Sequence, residues 1–358
     1  MADLIVAGAG MAGLVAAAEA RALGASVRLV EKGDRPGGSM RLSSGVIWRY
    51  RDFDRFRVEC PDGDEGLQRL VFERLDGDLA WLEALCASVA ERGTGNALTS
   101  GARFDPASLT DSLVRAAGNV ELGDPLLSLP AGGTPVVLAT GGFQASRALV
   151  REHITPQADR LLLRAAPWSS GDGLRMALAA GASPSGGLGE FYGRNMPAPP
   201  AVVKENDFVS LAQLYARHAR VTNTDGVPYE VRTWSETDVV QWTARQPGAR
   251  ARYTVGRDAL DERLRERTVG EMIAAARAAG AEVVEAKGSI TVEVIAGITT
   301  TLGGIGVDRR AQAAEGVFAC GADVGGIATC ESGMPTWTCN AHSGVRRNSP
   351  RISSPTHR

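Results

Sequence analysis

A glycine pattern near the start of the chain limits its fold more than any other feature. The apolar residues 4–7 lead into Gly8-Ala9-Gly10-Met11-Ala12-Gly13, and a helical stretch over 14–23 follows. Gly24 closes that helix, and residues 26–30 read as a second strand ending at Glu31. Strand, G-x-G-x-x-G turn, helix and strand make a βαβ unit, the opening of a parallel sheet. Gly8 permits the tight turn, Gly10 lets a pyrophosphate approach the backbone, and Gly13 lets the helix pack closely on its strand. Met11 and Ala12 open the helix, whose unpaired N–H groups and positive dipole end suit an anion. Glu31 stands where a carboxylate accepts from both ribose hydroxyls, which disfavours a 2′-phosphate. The pattern predicts a dinucleotide site.

The next residues narrow the dinucleotide. Lys32-Gly33-Asp34-Arg35-Pro36-Gly37-Gly38-Ser39 follows, then Leu42-Ser43-Ser44-Gly45-Val46-Ile47-Trp48. A nicotinamide cofactor has no need of a second glycine pair there, whereas the longer FAD does. The stretch resembles the FAD-binding flavoproteins of the fumarate reductase/succinate dehydrogenase flavoprotein family, which includes ketosteroid and tricarballylate dehydrogenases. Four later segments carry the same resemblance, in family order. Residues 135–143 look like the family's strand and ATGG turn, through Ala139, Thr140 and Gly141. Gly171-Asp172-Gly173 looks like its GDG helix, and residues 298–308 look like its TxGG hairpin. Residues 316–323, with Gly321 and Asp323, resemble the strand that brings an acid to the FAD ribitol. The resemblance implies FAD held by Gly8, Gly10, Met11, Ala12, Gly13, Glu31, Lys32, Gly37, Gly38 and Ser39, with Ser43, Ser44 and Gly45. It adds Ala139, Thr140, Gly141, Asp172, Gly321 and Asp323. The loop 39–44 lacks the histidine to which succinate dehydrogenases link their flavin, so the FAD is expected to be non-covalent.

The resemblance also implies an α/β fold: a doubly wound, Rossmann-like parallel-sheet FAD domain with a smaller α+β capping domain inserted. The FAD domain is expected at 1–185 and 287–330, and the cap at 186–286. Residues 49–118 are charged, and the spacing of Leu67, Leu70, Val71, Leu75, Leu79, Leu82 and Leu85 predicts an amphipathic helical cover on the sheet. Within the cap, Thr268-Val269-Gly270-Glu271 reads as a capping box opening a helix to Ala279, ended by Gly280.

Flavoproteins of this family move a hydride between flavin N5 and a carbon next to a carbonyl or carboxylate. The protein must clamp that group, usually with arginine, and handle a proton. Arg194, Arg217, Arg220, Arg232, Arg245, Arg250 and Arg252 are candidates in the cap. Tyr192 could donate a proton and Arg194 could hold a carboxylate; a buried tyrosine and a rim arginine would look the same in sequence. The family's proton-donating arginine follows a turn like Asn223-Thr224-Asp225-Gly226, and its place falls near Glu236. The family's substrate-gripping histidine falls at Thr300. With both groups missing, fumarate reduction is not expected, while another activated CH–CH bond stays open. Glu236 reads either as a general base or as a surface carboxylate at a helix start.

Composition excludes several classes. A net charge of −2 gives no basic excess for nucleic acid. Five cysteines without a CxxC pair, and four histidines out of ligand spacing, point to neither a disulfide framework nor a metal site. No leader-like or membrane-spanning run is evident, so a cytoplasmic protein is expected. Its partners are expected to be a small-molecule substrate and, with no haem or iron–sulfur motif, any electron acceptor as a separate molecule. The link from Asn119 to Pro135 is short, and Ala286-Lys287-Gly288 joins cap to exit strand abruptly. Residues 331–358 hold four arginines against one acid and read as a disordered tail, from a frameshift near Thr329 or as a natural basic tail. These departures motivate an alternative: a catalytically impaired or non-catalytic flavin-binding or dinucleotide-binding protein. An NAD enzyme of unrelated chemistry is the third reading, against which the loop 37–39 argues.

Overall fold

The computed structural model describes residues 2–85, 87–230 and 235–329; Arg232 and the tail 331–358 lie outside them. The opening unit forms as the glycines require: β1 (Leu4–Ala7), α1 (Met11–Ala22) and β2 (Val27–Glu31), with Gly24 in a left-handed conformation after the helix. Next come β3 (Val46–Tyr50), α2 (Phe53–Glu59), α3 (Glu65–Ala84), β4 (Val89–Arg92), β5 (Thr99–Phe104), α4 (Pro106–Ala117) and β6 (Glu121–Leu122). The chain continues through β7 (Val136–Leu138), α5 (Arg147–His153), β8 (Leu162–Leu163), α6 (Asp172–Ala179), β9 (Phe191–Pro197) and β10 (Arg220–Asn223). It then forms α7 (Glu236–Ala244), β11 (Arg250–Gly256), β12 (Arg263–Leu264), β13 (Arg267–Thr268) and α8 (Val269–Ala278). Last are β14 (Val283–Ala286), β15 (Ser289–Thr301), β16 (Gln312–Ala314) and β17 (Val317–Ala319).

The main sheet has the order β16-β17-β7-β1-β2-β6, parallel except for β16 at its edge. Its strands alternate between two cores, as a pleat with both faces covered demands. Val6 and Leu29 pack with Leu14 and Ala17 of α1 and with Leu109 and Leu113 of α4. Ile5, Ala7, Val30 and Leu138 face the other way, onto Val150 of α5 and Leu174 and Ala177 of α6. The chain leaves β1 toward β2 and β6, then returns to β7 on β1's other side. The strand order therefore reverses between β1 and β7, where open α/β sheets bind their ligands.

Two sequence expectations need correction. Residues 49–118 are not a plain helical cover, because β4 and β5 join β3 in an antiparallel sheet of order β3-β5-β4. Its inner side, Ala102 and Phe104, shares a core with Leu79 and Leu82 of α3. Residues 298–308 are not a hairpin: β15 ends at Thr301, and between there and Asp308 the strand pairing consists of isolated bridges from Ile305 to Pro184 and Val324.

A second sheet, β10-β11-β15-β14, is built on the long strand β15, which also pairs with β9 and β8. Lys287 and Gly288 form a hairpin turn within it, closed by the pair Ala286–Ser289, with Gly288 at φ +82°. No helix among the described residues is long and apolar enough to cross a membrane. The capping box is present: Thr268 Oγ1 accepts the Glu271 N–H at 3.1 Å, and Glu271 accepts the Thr268 N–H at 2.7 Å. Thr268→Ala is expected to cost about 1 kcal/mol, read as a lower urea midpoint with unchanged slope.

Candidate functional site

Three glycine turns converge at the carboxyl ends of β1, β7 and β17. A Cβ on Gly8 would stand 2.1 Å from the Ala139 carbonyl oxygen, and one on Gly13 would stand 1.9 Å from that of Gly8. Gly10 differs from these two, since no described atom lies within 4 Å of where its Cβ would be. The start of α1 at Met11, Ala12 and Gly13 has no side-chain cap and no acid in its first turn. The second glycine loop reaches the same place: Gly37 donates its N–H to the Ala9 carbonyl at 2.7 Å, and Gly10 bridges Gly37. A Cβ on Gly38 would stand 3.2 Å from Gly10 Cα, and one on Gly321 would stand 2.6 Å from Ala12 Cβ. Open space over Gly10, bare helix N–H groups and two facing glycine loops fit the diphosphate of FAD.

The polar residues at this site are held by one another. Glu31 accepts the Ala9 and Gly33 N–H groups, each at 2.7 Å, which leaves one further lone pair on each oxygen. Lys32 donates to Ser170 Oγ at 2.7 Å and Asp172 at 2.8 Å, tying the end of β2 to the start of α6. These contacts hold the Asp172 carboxyl below its ordinary range despite partial burial. Asp323 is 1% exposed and turns inward, accepting from the Thr140 N–H, from Thr140 Oγ1 at 3.1 Å and from the Gly142 N–H at 3.2 Å. Burial outweighs those bonds and raises its pKa. Ser39 Oγ accepts the Ala166 N–H at 3.0 Å, so the second glycine loop is fixed to the segment after β8. Ser43 closes a local turn, donating to the Met40 carbonyl at 2.8 Å and accepting the Gly45 N–H at 3.0 Å. A Cβ on Gly45 would meet the Phe104 carbonyl oxygen at 2.0 Å, a close approach between loop and β5.

A second cluster lies along β9 and α7, joined to the first by β15. At one end of that strand, Thr301 Oγ1 stands 2.7 Å from where a Gly142 Cβ would be, and Thr300 pairs with Tyr192. Two residues apart on β9, Tyr192 and Arg194 share a face, and the guanidinium of Arg194 lies 4.5 Å from the Tyr192 ring centre. Arg194, 4% exposed, donates Nη1 to the Gly193 carbonyl at 2.7 Å and to Thr237 Oγ1 at 3.3 Å. Beside Thr237, Glu236 opens α7. It is half-buried rather than a surface carboxylate: Oε1 accepts the Ala216 N–H at 3.3 Å, while Oε2 is sealed with no partner among the described residues. Burial pushes its carboxyl up to about 7 against the pull of Arg194. Its charge in turn helps burial raise the Tyr215 phenol.

Sequence reasoning missed two arginines here, Arg164 and Arg265. Arg164 follows β8, and its side chain donates to the Phe208 carbonyl at 2.6 and 3.2 Å and to Thr299 Oγ1 at 2.7 Å. Burial and the charges of Arg194 and Arg265 pull it down to about 10. Gly297 makes room for it, since a Cβ there would stand 2.8 Å from the Arg194 carbonyl oxygen and 2.9 Å from Arg164 Cδ. A charged residue ending the apolar run 161–163 was the signal available. Most of the arginines singled out by sequence are engaged in other contacts. Arg250 and Arg252 pair with Glu293 at 2.5 and 3.6 Å, and Arg245 caps the Gln241 and Gly189 carbonyls at 2.8 and 2.9 Å. Arg220 is exposed on β10, while the charge of Arg217 reaches Glu236.

A family model described as an FAD binding domain matches residues 3–106 and 131–333. Among solved structures, the chain is similar to the open conformation of a flavocytochrome c3 fumarate reductase: TM-score 0.67, 18% identity, 94% of this chain and 75% of that one covered. It is also similar to 3-ketosteroid-Δ4-(5α)-dehydrogenase from Rhodococcus jostii RHA1, with TM-score 0.64, 15% identity and 94% of both chains covered. A third is 3-ketosteroid Δ1-dehydrogenase from Sterolibacterium denitrificans, with TM-score 0.64, 14% identity, and 91% of this chain and 94% of that one covered. No curated protein matches the chain.

Proposed function

The chain belongs to the FAD binding domain family, and from that premise we propose an oxidoreductase acting on a CH–CH bond next to a carbonyl or carboxylate of a small molecule. Bound FAD supplies the hydride acceptor and donor; the protein supplies the rest. The observation that carries the reading is the meeting of Arg194, Tyr192 and Glu236 at the end of β15 that touches the Gly142 turn. Arg194 holds the oxygen that activates the bond, because a guanidinium stays charged where it is buried. Glu236, poised near neutrality, takes or returns the proton on the adjacent carbon. Tyr192 supports the Arg194 guanidinium with its ring. The segment 186–286 acts as the cap that selects the substrate, and electrons leave to or arrive from a separate acceptor.

The test begins with the absorption spectrum of the purified protein before and after heat denaturation, with chromatography of what is released. Free FAD near one per chain is expected, and flavin retained on a peptide would overturn the non-covalent assignment. Dithionite-reduced protein is then mixed, without oxygen, with α,β-unsaturated ketones and acids. Reoxidation by at least one of them is expected. Reduction without turnover on any would favour a non-catalytic flavoprotein.

A further inference from the structure

Gln68 sits beside Leu67 on the inner face of α3 and is fully buried. An interior amide is informative, because leaving its polar atoms unpaired is costly. Both ends of this one are paired. Nε2 donates to the Cys60 carbonyl at 2.9 Å and to the Ile327 carbonyl at 2.8 Å, and Oε1 accepts Arg57 Nη1 at 2.6 Å. Arg57, near the end of α2, also donates to the Gly63 and Pro61 carbonyls at 2.7 and 2.9 Å. The Asp64 N–H, at the start of α3, donates to the Gly326 carbonyl at 2.7 Å. The corner between α2 and α3 thus grips a segment 259 positions later in the chain. Gly63 leaves the contact open: a Cβ there would stand 2.2 Å from Gln68 Nε2 and 2.3 Å from the Ile327 oxygen.

The gripped segment lines the crevice. It leaves β17 with Gly321 against Ala12 of α1, and Asp323 accepts from the Thr140 and Gly142 N–H groups. Residues 302–305 hold it from the other side. Ile305 donates to the Asp323 carbonyl at 2.7 Å, and Gly326 donates to the Leu302 carbonyl at 3.0 Å. A Cβ on Gly325 would stand 2.1 Å from the Gly304 nitrogen, so the two backbones touch directly. Beyond Val324 the segment has no helix or strand of its own to fix it. A fully paired polar network does so, because its donors and acceptors meet in one arrangement only. We propose that Gln68 is a positioning residue of the cofactor site, which holds residues 321–327 in the arrangement that FAD requires by fixing the Ile327 carbonyl. The proposal rests on the FAD site and not on the reaction proposed above, and it gives the α2–α3 corner a part in binding the cofactor.

The test titrates FAD into the full chain and records the visible absorption of the bound flavin. Gln68→Glu keeps a partner for Arg57 but, once ionised, has no proton to donate to Ile327 or Cys60. Gly63→Ala leaves the amide in place and wedges a methyl against the Ile327 oxygen from the other side. In both, the competent arrangement becomes one of several, and apparent affinity falls by the fraction that holds it. FAD is expected to bind about ten- to a hundredfold more weakly, the range for two lost hydrogen bonds, with a displaced flavin band. Thr268→Ala, in the capping box remote from the crevice, serves as a control for lost stability and is expected to bind FAD like the wild type. Wild-type affinity and spectrum in both variants would overturn the role of Gln68, even with a lowered Tm, and would leave the FAD site standing. An equal loss of affinity in Thr268→Ala would overturn it too, since affinity would then follow overall stability. A wild type that takes up no FAD would remove the cofactor site and this role together.

Discussion

Gly8→Ala is expected to give a colourless protein of sharply lowered stability, while Gly10→Ala folds normally and binds FAD poorly. The contrast follows from what surrounds each glycine. At Gly8 the backbone has φ +105°, and the added methyl would lie 2.1 Å from the Ala139 carbonyl oxygen. That oxygen is backbone and cannot rotate away, so β1 and β7 must separate at the crevice itself. Strain at a left-handed residue and overpacking each cost about 1–3 kcal/mol. Together they take a large share of the 5–15 kcal/mol typical of a folded domain. Gly13→Ala should behave like Gly8→Ala, since its methyl would meet the Gly8 oxygen at 1.9 Å. At Gly10 φ is −70° and nothing described lies within 4 Å, so alanine costs the fold little. Its methyl instead stands where the diphosphate must approach, and a loss of affinity of tenfold or more is expected. Thermal melts of the FAD-free proteins and flavin titrations separate the two effects. Gly10→Ala binding FAD like the wild type would mean that the diphosphate lies elsewhere.

The cofactor half was legible because its demands are local. A tight turn, a close helix and a bare helix start each need a particular residue at a particular spacing, and β1, α1 and β2 form where Gly8, Gly13 and Gly24 imply. The β3-β5-β4 sheet was not legible, because β4 exposes Ala90, Glu91 and Arg92 and so shows no clear alternation. Its identity as strand comes from pairing with β5, which on its other edge lets the Ile47 carbonyl of β3 approach Gly101. Arg265 was hidden for another reason: it stands among Arg263 and Arg267, and nothing within a few residues distinguishes it from the many solvated guanidiniums nearby. Arg164 left a faint trace, a charge ending the apolar run 161–163. Glu236 shows the limit most clearly: a carboxylate opening a helix after Ser235 looks like an ordinary surface residue. Only the packing of α7 on β9, with Ala216 closing over it, encloses its carboxyl.

That enclosure has a measurable consequence for Glu236→Gln. The carboxyl titrates at about 7 in the folded chain against 4.5 ordinarily, because burial disfavours its charge more than Arg194, Arg217 and Arg265 favour it. The folded state therefore holds a proton that the unfolded state has released throughout that interval. Stability from this group is complete below pH 4.5, falls as pH rises, and is gone above about 7. A separation of two to three pH units corresponds to about 3 kcal/mol. Glutamine cannot ionise, so the variant should lack this slope and gain on the wild type by roughly that amount between pH 4 and 8, as read by urea unfolding. Asp323 and its Thr140 contacts titrate in both proteins and cancel in the difference. The same substitution removes the group that handles the substrate proton, and turnover should fall by about 10²–10⁴. The two effects bear on different claims. A variant whose stability advantage over the wild type grows with rising pH, and which loses turnover, has a buried proton carrier at Glu236. One that gains stability but keeps turnover would assign the proton to Tyr192, and a stability difference flat in pH would mean that the carboxyl opens to water and was never poised.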